Sequence, residues 1–146
     1  MNRYTIVFEV GGTEIKSSIV SESGNVVEKT VRNYPAYSNQ SRNFLLDYLY
    51  ELIRKQAATL SGRTDEITGI GYVFPGPCDH ERGVSYIPTQ QKYGALSGIS
   101  ITDAMKARLN ADLRLLPRMA ANYRIFFDQD ATWPSLKPRE LMQVGV

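Results

Sequence analysis

The chain has 146 residues, 42% hydrophobic and 22% charged, which suits one globular domain with a buried core. Its 17 basic residues are scattered among 15 acidic ones for a net charge of +2, so no basic stripe marks a nucleic-acid partner, and no apolar run is long enough to span a bilayer. A single cysteine, Cys78, leaves no internal disulfide and no cysteine cluster for zinc, and without a signal-like N-terminus a cytoplasmic location is expected.

In chain order, the apolar residues of Tyr4 to Glu9 predict a strand, which Gly11 and Gly12 end. Glu14 to Val20 reads as a second strand, and Ser23, Gly24 and Asn25 form a turn before a third at Val26 to Arg32. Three strands joined by tight turns predict an antiparallel meander. Beyond Pro35, Phe44, Leu45, Tyr48, Leu52 and Ile53 recur at helical spacing behind Ser41 as a cap, so residues 40 to 60 are predicted helical, closed by Gly62 and Asp65. Ile67 to Phe74 reads as a buried strand, "PGPCDHERG" as a loop, Val84 to Ile87 as a short extended piece, Ile101 to Asn110 as a helix and Tyr123 to Phe127 as a last strand. The predicted order is β-β-β-α-β-α-β with no internal repeat.

The stretch "FEVGGTEIKSSIV" carries the chemistry. A glycine pair lets backbone approach a ligand where a Cβ would collide, and it tolerates positive φ. Successive amide N–H groups there can form a donor site for an anion, with the Thr13 hydroxyl and Lys16 on the next strand as further partners. A plain hairpin turn is the alternative from this stretch alone. A P-loop is excluded because the glycines lead into a strand, and "GIGYVFPG" lacks the spacing of a dinucleotide fingerprint. His80, the only histidine, and Cys78 read as loop residues, and Phe44, Tyr48 and Tyr50 as helix packing.

The strand, acidic residue and Gly-Gly-Thr, continuing into "IKSSIVSESGNVV", resemble the first phosphate motif of the sugar kinase, hsp70 and actin superfamily, and within it the ROK family (repressor, open reading frame, kinase). "ITGIGYVFPGPCDHERGVSYIP", residues 67 to 88, is similar to that family's strand ending in a Pro-Gly-Pro turn. "RIFFDQDA", residues 124 to 131, is similar to its strand before the catalytic aspartate. The resemblance implies an α/β domain of ribonuclease H-like (actin-like ATPase) fold over residues 1–131, with a mixed sheet. It also implies transfer of the ATP γ-phosphate to a hexose or N-acetylated amino sugar. In that frame Asp130 would be the general base taking the sugar hydroxyl proton. Gly11, Gly12, Thr13 and Lys16 would hold the ATP phosphates, Glu9 the hydrated magnesium, and Gly76, Gln129 and Asp130 the sugar.

Two departures bear on these roles. Glu9 stands where the family has aspartate, which moves the carboxylate outward, and Gln129 stands for asparagine. Family members run to about twice this length, so the second phosphate motif, the adenine pocket and the zinc site carried by many members are missing from these 146 residues. The chain alone is therefore expected to lack kinase activity, and its exposed cleft face to favour a homodimer. "TWPSLKPRELMQVGV", residues 132–146, interrupts the expected helix with Pro134 and Pro138. It reads as a truncated or frameshifted tail, which the coding DNA would test. The alternatives are the sugar-sensing part of a ROK transcriptional regulator and a noncatalytic sugar-binding module.

Overall fold

The computed structural model describes residues 2–60 and 65–129. Strands β1 (Arg3–Val10), β2 (Glu14–Ser21) and β3 (Val26–Pro35) form the meander, and helix α1 (Arg42–Ala57) follows. Strand β4 (Glu66–Phe74) leads into a two-residue hairpin, β5 (Cys78–Asp79) and β6 (Val84–Ser85), and then helix α2 (Ile101–Ala111) and strand β7 (Met119–Gln129) complete the order. The five long strands form one sheet in the order β3-β2-β1-β4-β7. β1 runs antiparallel to β2 but parallel to β4, and β4 runs parallel to β7. The mixed α/β fold inferred from the sequence is therefore present.

Alternation along β1 sorts the two faces of the sheet. Ile6, Phe8 and Val10 join Ile15 and Ile19 of β2 and Ile70, Tyr72 and Phe74 of β4 in the core beneath the helices. Both helices pack on this face, α1 through Leu45, Leu49, Leu52 and Ile53, α2 through Ile101, Met105 and Leu109. Each is capped at its N-terminus: Ser41 Oγ accepts from Phe44 N at 3.2 Å and Ser100 Oγ from Asp103 N at 3.1 Å. Buried Gln56 ties α1 to the meander, its Nε2 donating to Thr30 O and its Oε1 accepting from the Tyr34 hydroxyl.

Phe44 departs from the expected packing. At 42% exposure it sits outside the core and joins an aromatic cluster beside the start of α1, in which Tyr37 meets Phe44 and Tyr48 edge to face and Phe44 stacks on Tyr48. Strand β7 is also longer than Tyr123 to Phe127. It is an edge strand, so Ala121 and Asn122 face solvent and break the apolar pattern from which a strand is read. Asp130, Ala131, the tail 132–146 and Gly62 lie outside the described residues.

Candidate functional site at the C-terminal edge of the sheet

Because β1, β4 and β7 are parallel, their C-terminal ends meet at one edge of the sheet. Gly11, the Pro75-Gly76-Pro77 turn and Gln129 therefore come together from three distant parts of the sequence. Open sheets with parallel strands bind ligands at this edge.

The Gly11–Thr13 turn is polarised. The Gly11 carbonyl accepts from the Tyr93 hydroxyl at 2.6 Å, the Gly12 carbonyl from Ser38 Oγ at 2.8 Å and the Thr13 carbonyl from Ala36 N at 3.1 Å. Gly11 N donates to Glu14 O at 3.1 Å, whereas the N–H groups of Gly12 and Thr13 have no acceptor among the described residues. The acceptors are thus fastened to the protein and two adjacent donors are left over, which is the backbone arrangement that receives an anion. The glycines serve close approach, and not positive φ as the sequence also allowed, since the positive-φ glycines among the described residues are Gly24, Gly83 and Gly98. A methyl group at Gly11 would lie 2.8 Å from Glu14 O, and one at Gly12 would lie 3.0 Å from Lys92 Cδ.

The Pro-Gly-Pro turn is fitted to the end of β7. A methyl group at Gly76 would lie 2.8 Å from Gln129 Cγ, and Gln129 Oε1 accepts from Cys78 N at 3.1 Å. The Gln129 carbonyl oxygen therefore braces the turn, and its amide NH2 is the part left for a ligand. The Gly76–Pro77 peptide is cis, and Ser85 Oγ donates to Pro75 O at 2.5 Å. The ladder between β4 and β7 ends with Phe74 opposite Gln129, one residue before Asp130.

Glu9 lies on the face of the sheet away from the helices, opposite Lys16 on β2 and Val73 on β4, and Val73 in turn faces Asp128. Strand spacing puts the Glu9 and Asp128 backbones about 10 Å apart in this row. Asp128 engages His80, whose Nδ1 lies 3.2 Å from Asp128 Oδ1 and 3.1 Å from Phe127 O. His80 is thus fixed to the end of β7 although half of it is exposed. Among the described residues no group of three or more histidine, cysteine or carboxylate side chains is placed to enclose a metal. Magnesium asks for fewer protein ligands than such a cluster, since it commonly keeps several waters and takes one or two carboxylates together with substrate phosphates.

Sequence reading missed Ser38, Lys92 and Tyr93. Next to the glycine turn is a cavity of about 450 Å³ whose lining includes Val10, Gly12, Pro75, Ile87, Lys92 and Tyr93. Tyr93 is 1% exposed and packs tilted against Phe74 with ring centroids 5.2 Å and planes 58° apart, and its N donates to Ser38 O at 2.7 Å. It holds left-handed backbone, φ 64, just before Gly94, where a methyl group would fall 2.0 Å from Thr89 O. The Tyr-Gly pair was the available signal, but its contact with Gly11 spans 82 positions.

This sheet, with its glycine turn and Pro-Gly-Pro turn on one edge, is the fold of the ROK sugar kinases. The chain is similar to a ROK hexokinase from Thermus thermophilus (16% identity, TM-score 0.61) over 88% of its own length and 36% of that chain. It is similar to a ROK family glucokinase from Streptomyces griseus in complex with glucose and AMPPNP (14% identity, TM-score 0.61) over 88% of its length and 34% of that chain. A ROK family transcriptional regulator, homolog of E. coli MLC, gives 14% identity and TM-score 0.65 over 88% of this chain and 28% of that one. The chain therefore spans about a third of the length of these proteins. No protein-family model matches the sequence, and no curated protein sequence does. Among the described residues no helix is long and apolar enough to cross a membrane.

Proposed function

We propose that this chain is the phosphate-binding portion of a ROK-family sugar kinase that transfers the ATP γ-phosphate to a hexose or N-acetylated amino sugar. The observation that carries the proposal is the polarised turn, in which the Gly11, Gly12 and Thr13 carbonyls are held by the protein and the Gly12 and Thr13 amides are left as donors. Those amides would receive phosphoryl oxygens, which carry the charge that phosphoryl transfer must stabilise. The Gln129 NH2 and the Gly76 backbone would orient the sugar at the same edge, and Asp130, next along the chain, would take the proton of the attacking hydroxyl. Glu9 would hold magnesium through its water shell, and the bound ion would neutralise phosphate charge.

A wall spanning about a third of the related chains does not preorganise both substrates, so the 146 residues alone are expected to bind weakly and not to turn over. The likeness to the regulator supports a second reading, sugar sensing without chemistry. Isothermal titration with hexoses, N-acetylated amino sugars and Mg-ATP, beside a coupled kinase assay, separates these. Binding of both ligand classes supports the kinase reading, sugar binding without nucleotide binding supports the sensor, and turnover by the isolated chain overturns the expectation that it is inactive alone. Binding of neither class contradicts both readings.

A further inference from the structure

The cation expected beside the phosphates from the sequence is Lys16, but the register of β1 and β2 places Lys16 directly across from Glu9. Lys16 is therefore on the face of the sheet away from the helices and is not among the described lining of the cavity beside the glycine turn. A different lysine is held over the glycine turn. The Lys92 stem lies along Gly12, so that a methyl group there would sit 3.0 Å from Lys92 Cδ and 3.4 Å from Nζ.

The backbone around Lys92 is fastened on both sides. Gln91 N donates to Pro88 O at 3.0 Å, Gly94 N to Gln91 O at 2.8 Å and Tyr93 N to Ser38 O at 2.7 Å. Tyr93 and Ser38 are also the two side chains that hold the Gly11 and Gly12 carbonyls. One set of contacts therefore orients the turn's amides and places the ammonium beside them. The other polar side chains among the described lining of this cavity are the amides Asn39, Gln90 and Gln91 and the Tyr93 phenol, and no carboxylate is among them. The cavity has one formal positive charge and no described group to neutralise it.

We propose that Lys92 is the phosphate-binding cation of this site, pairing with the phosphoryl oxygens that the Gly12 and Thr13 amides receive. The proposal rests on the reading of the glycine turn as a phosphate site. The absence of a methyl group at Gly12 then has a second use, since it leaves room for the lysine stem to lie flat against the turn.

The test is an amide-resolved NMR titration of the full chain with inorganic triphosphate at constant ionic strength, comparing the unaltered protein with K92M, K92R, K16M and K106M, each first checked for an unchanged melting temperature. Lys106 lies exposed on α2 and controls for the loss of one charge. Saturable shifts at Gly12 and Thr13 are expected, with affinity reduced about fivefold or more in K92M, largely kept in K92R and changed by less than about twofold in K16M and K106M. Shifts at those amides that survive K92M unweakened, or that weaken in K16M instead, overturn the role of Lys92 and leave the turn's role standing. If triphosphate leaves both amides unmoved in the unaltered protein, the phosphate reading of the turn fails and this inference fails with it.

Discussion

Replacing Tyr93 with phenylalanine isolates one contact on which the site depends. The hydroxyl donates to the Gly11 carbonyl at 2.6 Å, and burial pushes its ionisation well above the ordinary tyrosine range, so it remains a donor throughout the working pH range. Phenylalanine keeps the ring against Phe74 and removes only the hydrogen bond. A neutral hydrogen bond contributes about 1 kcal/mol net, and water can partly reach half-buried Gly11, so a loss of about 1 kcal/mol is expected rather than the larger cost of a sealed orphan carbonyl. For a chain of this size that is a fall of about 4 °C in Tm by calorimetry. If the whole loss falls on the bound geometry, triphosphate affinity drops by about fivefold. Ser38→Ala removes the neighbouring fastening at Gly12, and because both bonds hold one turn, the double variant should depart from additivity by about 0.5 kcal/mol or more. An unchanged Tm with unmoved Gly12 and Thr13 amide resonances in Tyr93→Phe would show that the Gly11 carbonyl does not depend on Tyr93.

Gly11→Ala drives a methyl group against the Glu14 carbonyl and should cost about 1–3 kcal/mol in urea unfolding, whereas Gly12→Ala meets a movable lysine stem and should cost less than about 1 kcal/mol while weakening triphosphate binding. The Tyr72 hydroxyl is buried without a hydrogen-bond partner among the described residues, so Tyr72→Phe should stabilise by about 1 kcal/mol, and a lower Tm would show that the hydroxyl is satisfied. The Tyr50 hydroxyl donates to Asp112 at 2.6 Å, and this bond, followed by the Leu115 and Arg114 amides, holds the Asp112 carboxyl below its ordinary 3.8. The stabilisation from this lowered group is present above that ordinary value and lost as pH falls through the folded one. Tyr50→Phe should therefore flatten the acid side of the stability curve, and an unchanged slope would contradict the assignment.

The sheet was legible because its strands are apolar, separated by turn residues and joined by segments of helical period. Ser41 was readable as a cap because it lies immediately before a segment of helical period, and α1 begins directly after it. Positions that depend on distant contacts were harder. Phe44 has the spacing of a core residue, yet the core is filled by Leu45, Leu49, Leu52 and Ile53, which leaves Phe44 on the flank with Tyr37. In the candidate site, Gly11, Gly12, Gly76 and Gln129 were legible as motif residues, and parallel pairing brings their strand ends to one edge. Lys92 and Tyr93 were not, because their loop has no periodicity and its register against Gly11 and Gly12 is set by Ser38 and Phe74. Lys16 was singled out for its nearness in sequence, and strand pairing sets it across from Glu9 on the face of the sheet away from the helices.

Paramagnetic broadening by ATP with Mn2+ in place of Mg2+ locates the metal-phosphate group without requiring turnover. A phosphate site at the glycine turn broadens the amide signals of Glu9, Gly11, Gly12, Thr13 and Lys92 first. Broadening centred instead on the groove of Arg54, Arg108 and Arg114 on the far side of α1 and α2, with the glycine turn untouched, would contradict it.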